Sequence, residues 1–261
     1  MRSRTLRLLA ALAASSTLAA VAAGSNTYTD LWWNPEQSGW GANIVQQGDI
    51  AFVTLFVHGP DGRPTWYFAP DATKYATDAS GRPAFRGPLY EENGPWIGGA
   101  FDPSRVKARL VGDLVIEPLP SGELYLEYAA DGIVVAREIR RFTFALPAVG
   151  GSYNTAFTLR VAPAGQPPTG TREFRAGMEA SLEGSEFSMR VVEDIGYCNY
   201  RGSYQASGRM ASVAGTYVCA AGNAGTFSID DFEVTEHGVS GYLRLHGEGA
   251  EQYGRFAGAR R

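Results

Sequence analysis

Residues 198–219 read CNYRGSYQASGRMASVAGTYVC, two β-forming runs on either side of Gly208-Arg209. Glycine at the first of two central positions is typical of a type II′ hairpin turn. That turn sets a register in which the numbers of paired residues sum to 417, so Cys198 lies opposite Cys219. The pair falls at a non-hydrogen-bonded position, where Cα atoms are about 4.5 Å apart and a disulfide can form. This segment therefore predicts an antiparallel hairpin closed by a Cys198–Cys219 bond.

The same register stacks Tyr200 against Tyr217, beside a pair formed by Gly202 and Gly215. The chain has only two cysteines, and an isolated pair in an exported protein indicates a structural disulfide rather than a metal site. Closing a loop of about 20 residues stabilises the fold by roughly 3 kcal/mol in the chain-entropy model.

The rest of the chain also consists of short β-forming runs separated by turn signals. Turn signals recur about every 8 to 12 residues and no amphipathic helix follows residue 24, which predicts many short strands. The expected fold is all-β, with two antiparallel meander domains and no substantial helix after the signal peptide. Each domain is an up-and-down β-barrel or a β-sandwich, because both arrangements limit exposed sheet edges. The predicted strands span 41–47, 50–58, 64–69, 83–89, 106–110, 113–117, 123–128 and 133–144, then 152–161, 173–182, 186–193, 198–204, 212–219, 225–234, 238–246 and 252–257.

Three regions follow from this pattern. Residues 1–23 form a signal peptide, residues 24–146 a tryptophan-rich β domain, and residues 147–261 a β domain with the disulfide. The segment 146–151, LPAVGG, is the best linker between the two halves. The proline-containing stretch 162–170 is the rival boundary.

The N-terminal segment has the three parts of a cleavable signal. Arg2, Arg4 and Arg7 precede the apolar run LLAALAASSTLAAVA, and small residues then offer cleavage after Ala22 or Ala23. The run falls short of the roughly 20 apolar residues that span a bilayer. We therefore expect a secreted or periplasmic protein with no transmembrane segment after cleavage.

Charge limits the partners of the mature chain. Removing the three arginines of the signal leaves 20 basic and 27 acidic residues, a formal net charge of −7. That balance disfavours nucleic acid and anionic membrane surfaces. The three histidines, His58, His237 and His246, lack the spacing of metal ligands. The sequence predicts no metal site and no cofactor.

The most distinctive segment is 28–41, YTDLWWNPEQSGWG. Adjacent Trp32 and Trp33 point to opposite faces of an extended chain. The Asn-Pro pair then breaks that chain in a turn, and Trp40 begins the next strand. All five tryptophans of the protein lie between residues 32 and 96.

This segment and others resemble a module of secreted proteins of Gram-negative bacteria. The shared features are LWWNPxxSGWG at 31–41, DGRPTWY at 61–67, GPLY at 87–90, GPW at 94–96, DPS at 102–104 and a closing strand at 137–142, so the resemblance covers roughly 28–144. It implies export and a β fold, with no established activity to transfer. Members often carry Glu directly before SGWG, where this chain has Gln37 and places Glu36 one position earlier.

Two interpretations of the tryptophans remain open. One is packing, since tryptophan fills the ends of small β-barrels. The other is a ligand platform, in which aromatic faces stack on a small molecule, a glycan or a surface polymer. Tyr67 lies on the face opposite Trp66 and Phe68. The candidate ligand-binding residues are Trp32, Trp33, Asn34, Glu36, Trp40, Asp49, Trp66 and Tyr67.

Catalytic signatures are weak by comparison. The chain contains no Gly-x-Ser-x-Gly motif, and no catalytic residue is assigned. The carboxylates Glu91-Glu92, Asp230-Asp231 and Glu36 with Asp49 could serve a glycoside hydrolase. The sequence therefore favours an exported binding or interaction protein. The alternatives are a carbohydrate-active hydrolase that uses carboxylates in a β cleft, and a purely structural envelope component.

Overall fold

A computed structural model describes residues 27–79, 81–119, 122–247 and 249–261. The predicted signal peptide, residues 1–23, lies outside the described residues. The described chain forms two closed antiparallel β-barrels of eight strands each and two 3₁₀ helices of three residues. The all-β prediction is confirmed, and the choice left open between barrel and sandwich is resolved in favour of barrels.

The first barrel closes because its last strand returns to pair with its first, as in Trp33 opposite Arg140. Short 3₁₀ helices at Pro35–Gln37 and Pro103–Arg105 lie in its connections. Its strands are β1 Asp30–Trp33, β2 Gly41–Gln47, β3 Ile50–His58, β4 Pro64–Thr77, β5 Pro83–Asn93, β6 Lys107–Pro118, β7 Leu124–Ala130 and β8 Ile133–Arg141.

The second barrel closes through its first and last strands, with Phe157 opposite Phe256. Its first strand also pairs with the second, so the rival domain boundary at 162–170 contains a hairpin loop of this barrel. The strands are β9 Gly151–Pro163, β10 Gly170–Glu183, β11 Glu186–Glu193, β12 Gly196–Ser207, β13 Met210–Cys219, β14 Ala224–Val234, β15 Gly238–Gly247 and β16 Ala250–Arg260.

One pair of predicted strands is a single strand. The predicted strands at 106–110 and 113–117 are both parts of β6, which runs through Gly112 without a turn. A Cβ at Gly112 would lie 2.2 Å from the carbonyl oxygen of Ala129 on β7. Glycine is therefore needed here for close strand approach rather than for a turn. A register shift between Leu89 and Tyr90 on the neighbouring strand accommodates the irregularity.

The hairpin register predicted from 198–219 is confirmed. Ser207 lies opposite Met210, Tyr200 opposite Tyr217 and Cys198 opposite Cys219. The two tyrosine rings stack with centroids 5.7 Å apart, and the two cysteines form a disulfide. The turn residues and the alternation of side chains were sufficient to predict this hairpin, because a two-residue loop permits only one pairing register.

The tip of that hairpin contacts the first barrel. The amide of Gly208 donates to Oγ1 of Thr143 at 2.6 Å, and the amide of Arg209 donates to Oδ2 of Asp30 at 2.9 Å. Gly208 is buried, and a Cβ there would lie 2.3 Å from Oδ2 of Asp30. Glycine at the turn therefore serves both the hairpin geometry and the fit between the barrels.

An ion pair lies directly beneath this contact. Asp30 and Arg141 approach to 3.0 Å, and their side chains are only 7% and 9% exposed. The Arg141 guanidinium also lies 4.6 Å above the ring of Trp32, a cation–π contact. Burial lowers the pKa of Arg141, and Asp30 opposes that shift. The junction between the two barrels thus holds a buried cation whose ion-pair partner is Asp30 and which also donates to the carbonyl oxygen of Thr27.

Candidate functional site

A stacked row of aromatic side chains crosses the outer surface of the first barrel. Phe52 on β3, Trp66 and Phe68 on β4 and Tyr90 on β5 form this row, which we call the aromatic ladder. Phe68 lies at its centre, with ring centroids 6.3 Å from Phe52, 5.5 Å from Trp66 and 5.8 Å from Tyr90. These separations fall in the range of favourable aromatic pairs. The ladder is thus a continuous aromatic surface built on strands.

The ladder faces outward because β3 is apolar on both faces. In a barrel, alternate residues of a strand face the core and the outside. The odd-numbered positions 51–57 are buried, whereas Phe52 and Phe56 are 43% and 51% exposed. Trp66, the cross-strand partner of Phe56, is 42% exposed. Burial in the core accounts for one face of this strand and leaves the aromatic outer face without a packing role.

Aliphatic residues extend this face on both sides. Val45 on β2 lies opposite Phe52, and Leu110 on β6 lies opposite Tyr90. The apolar face therefore spans five strands, about 19 Å at the usual strand spacing. Patches of this kind on the surface of a protein mark interaction sites.

A hollow of about 480 Å³ opens at the end of the ladder. Gly39 contributes to it by lacking a side chain: it has φ +116°, and a Cβ there would meet nothing within 4 Å. The volume lies within the range of small-molecule sites. The hollow is lined by Gly39, Phe56, Val57, His58, Pro64, Thr65 and Trp66.

A larger open hollow of about 960 Å³ lies on the second barrel. Small residues such as Ala156, Gly177 and Ala257 make up much of its lining, and His237 supplies its one aromatic ring among the described lining residues. Size alone does not indicate a ligand. We place the candidate site at the smaller hollow because aromatic faces converge there.

The predicted site residues fall into separate groups. Trp32 is 2% exposed and its Nε1 donates to the carbonyl oxygen of Tyr28, so it belongs to the core. Trp33 faces the other way, as the alternation predicts, and packs edge-on against Phe142 at 4.9 Å. Trp66 alone of the predicted residues belongs to the ladder and the hollow.

Trp40 and Tyr67 lie on the inner side of the same barrel end. Both are partly buried and pack against the core of the first barrel. The Tyr67 ring lies 6.2 Å from that of Tyr128 on β7. Burial raises the pKa of Tyr67, and nearby Glu91 and Asp131 raise it further. These tyrosines therefore line the barrel mouth rather than the ladder.

The predicted polar residues do not join the tryptophans. Asn34 caps the 3₁₀ helix by accepting from the amide of Glu36 at 2.9 Å. Glu36 is exposed on that helix. Asp49 follows β2, whereas Trp40 precedes it, so the seven residues of the strand separate them by roughly 23 Å. Asp49 instead forms an ion pair with Lys74 at 2.5 Å.

Three of the carboxylates considered for hydrolysis, Glu91, Asp230 and Asp231, form ion pairs with arginines. Arg109 contacts Glu91 at 2.8 Å and Asp131 at 2.5 Å, and this contact lowers the pKa of Asp131. Asp230 and Asp231 pair with two different arginines, Arg244 and Arg255. Burial raises the pKa of Asp231. Asp230 and Asp231 do not bind the same arginine, so they do not act on one point. These groups are arranged as ion pairs rather than as two carboxylates facing one cleft.

The predicted ligand-binding residues do not include four residues of this surface, Phe52, Phe56, Phe68 and Tyr90. The signal was present in residues 50–58, IAFVTLFVH, where one alternating set is wholly apolar and the other carries Ile50, Phe52 and Phe56. A barrel strand buries only one set, so the aromatic members of the other had to be exposed.

Comparison with known proteins gives no family assignment. No protein-family model matches the chain, and no curated protein matches it either. Within the described residues, no helix has the length and apolarity to cross a membrane. The described part of the chain also has no grouping of three histidine, cysteine or acidic side chains that would hold a metal ion.

Proposed function

We propose that this protein is an exported binding protein whose aromatic ladder holds a neutral glycan chain. The observation that carries the proposal is the stacked row from Phe52 through Phe68 to Trp66, exposed on a face that the core does not need. Sugar rings present C–H groups on their faces, and those groups pack against aromatic rings. Ordered aromatic residues on strands bind with little loss of side-chain entropy.

The length of the face favours a chain of rings over a single small molecule. Five strands carry apolar side chains from Val45 to Leu110, a width of about 19 Å. That width exceeds a single sugar ring. A linear polymer would contact the ladder at several rings and would continue into the hollow beside Trp66.

One row of side chains across the ladder is uncharged, which favours a neutral ligand. One row of cross-strand partners carries Asn43, Thr54 and Phe68 side by side. That row continues through Tyr90 to Leu110 and contains no charged side chain. Amide and hydroxyl groups next to aromatic faces suit the hydroxyls of a glycan, because each can donate or accept a hydrogen bond.

Two features support export. The three-part N-terminal segment predicts cleavage after Ala22 or Ala23, and the Cys198–Cys219 disulfide suits an oxidising compartment. The resemblance of residues 28–144 to a secreted bacterial module remains a prediction in the same direction. A secreted or periplasmic protein meets glycans and surface polymers directly.

Affinity electrophoresis tests the proposal. The mature protein is run through native gels that contain soluble neutral polysaccharides, with alginate as an anionic comparison. We expect retardation by at least one neutral polymer, and we expect Trp66→Ala to weaken it about 10-fold or more. The loss of one stacking contact with its burial corresponds to about 1.4 kcal/mol or more.

Trp96→Ala is the matched control, because Trp96 is 79% exposed and lies outside the ladder. It should bind as the unaltered protein does. Two results would overturn the proposal: no retardation by any neutral polymer, or equal retardation of the Trp66→Ala variant and the unaltered protein.

A further inference from the structure

The mouth of the first barrel is a second, chemically different surface. Tyr67 on β4 and Tyr128 on β7 come from strands that are not neighbours, and their rings meet at 6.2 Å. Both rings are partly exposed and pack against the core, as does Trp40. The two tyrosine rings therefore form an aromatic floor across the end of the barrel, and Trp40 packs against the same core.

A guanidinium is fixed at the edge of this floor. Arg137 on β8 lies opposite the buried Leu126, so its side chain starts on the inner side of the sheet. Its Nε donates to Oε1 of Gln37 at 2.7 Å, and its Nη1 donates to the carbonyl oxygen of Ala136 at 2.7 Å. Two neutral acceptors thus orient the group.

Arg137 differs from Arg109, the other arginine of this mouth. Arg109 is held by two carboxylates, Glu91 and Asp131. The positive charge of Arg137 opposes the burial that raises the pKa of Tyr128, yet no carboxylate of the described residues forms an ion pair with Arg137. Its Nη2 has no hydrogen-bond acceptor among those residues. The charge of Arg137 is therefore oriented but not neutralised.

The tyrosine hydroxyls add donors beside this charge. Both hydroxyls are protonated near neutral pH, since the tyrosine pKa is ordinarily about 10 and burial raises the pKa of Tyr67 and of Tyr128 further. Neither hydroxyl has a hydrogen-bond partner within the described part of the protein. A ligand with an oxyanion can accept from a guanidinium and from neutral O–H groups at once, and charge-assisted hydrogen bonds are the strong ones.

We propose that the mouth of the first barrel binds a small aromatic carboxylate, with its ring on Trp40, Tyr67 and Tyr128 and its carboxylate on Arg137. Gln37 holds the guanidinium in place from the 3₁₀ helix. The mouth and the ladder are distinct surfaces of one barrel, so this binding does not depend on the glycan site.

Fluorine NMR of a small probe tests this inference. 4-Fluorobenzoate is titrated with the mature protein, and 4-fluorobenzamide serves as its uncharged analogue. We expect saturable line broadening of the carboxylate and at least about 10-fold weaker binding of the amide, since the amide lacks the charge-assisted contacts. Arg137→Gln should weaken carboxylate binding about 10-fold or more.

Three variants separate this site from its surroundings. Arg140→Gln removes an exposed arginine from the same strand and should bind within about twofold of the unaltered protein, because it faces outward. Tyr128→Phe keeps the ring and removes one donor, so binding should weaken while the circular dichroism spectrum stays unchanged. Trp66→Ala should retain carboxylate binding even though it removes one ring of the ladder.

The inference is overturned if the unaltered protein shows no saturable binding of 4-fluorobenzoate. It is equally overturned if acid and amide bind alike, or if Arg137→Gln binds as well as Arg140→Gln. Failure of neutral polysaccharides to bind would remove the glycan proposal and leave this one standing.

Discussion

Replacing Asp30 by alanine is expected to destabilise the protein by about 3–5 kcal/mol, the cost of leaving a buried charge without its partner. The Arg141 side chain is 9% exposed and cannot turn to water without opening the junction. The same substitution removes the acceptor for the amide of Arg209 in the second barrel. Urea unfolding followed by far-ultraviolet circular dichroism, which reports the strands of both barrels, measures the loss as a lower midpoint.

A surface pair provides the matched control. Asp230 and Arg244 also form an ion pair, but their side chains are 51% and 50% exposed. Exposed pairs contribute about 0–1 kcal/mol, so Asp230→Ala should shift the midpoint little. The double substitution Asp30→Ala with Arg141→Met should recover part of the lost stability, because it removes the unpaired charge. Equal effects of Asp30→Ala and Asp230→Ala would contradict the account of the junction.

Removing the disulfide is expected to cost about 3 kcal/mol, because the bond constrains a loop of about 20 residues in the unfolded chain. Cys198→Ser with Cys219→Ser removes the bond, while the remaining residue pairs of β12 and β13 can still form. The unaltered protein in reductant should unfold at the same lower urea midpoint as this double variant.

Reductant added to the double variant is the control, since the chain has only these two cysteines and none remains to respond. Mass spectrometry of non-reduced peptides should recover the segments around both cysteines as one linked species. Free thiols at both positions, or an unchanged midpoint in reductant, would contradict the structural role of the bond.

Local chemistry made the hairpin predictable. A two-residue turn at Gly208-Arg209 leaves one register, and alternation then places every side chain from Cys198 to Cys219. The same alternation correctly separated Trp32 from Trp33 and Tyr67 from Trp66. Strand pairs whose partners are close in sequence could therefore be predicted from the sequence.

The closure of the barrels could not be predicted from local sequence. Sandwich and barrel share the same order of strands, and the difference lies in whether β1 meets β8 across more than 100 residues. The continuous β6 was missed for a related reason. Gly112 signals a turn when read alone, and only its approach to Ala129 on β7 explains it.

The candidate site could be predicted only in part, because its contacts join three different strands. Phe52, Phe68 and Tyr90 belong to three strands, and their stacking depends on a register interrupted by bulges. Their exposure could have been predicted from the doubly apolar β3, but their contact could not. Asn34, Glu36 and Asp49 lie near the tryptophans in sequence, yet one caps a helix, one is exposed and one lies beyond the far end of β2.

Fluorine NMR of protein labelled with 5-fluorotryptophan tests the glycan-binding ladder most directly, because each of the five tryptophans gives a separate signal assigned by substitution. A neutral oligosaccharide from the polymer that retards the protein is added to saturation. We predict that the Trp66 signal shifts and loses its sensitivity to solvent, while the buried Trp32 and the exposed Trp96 keep their shifts. A shift of Trp96 without Trp66, or no shift of any signal, would contradict the account.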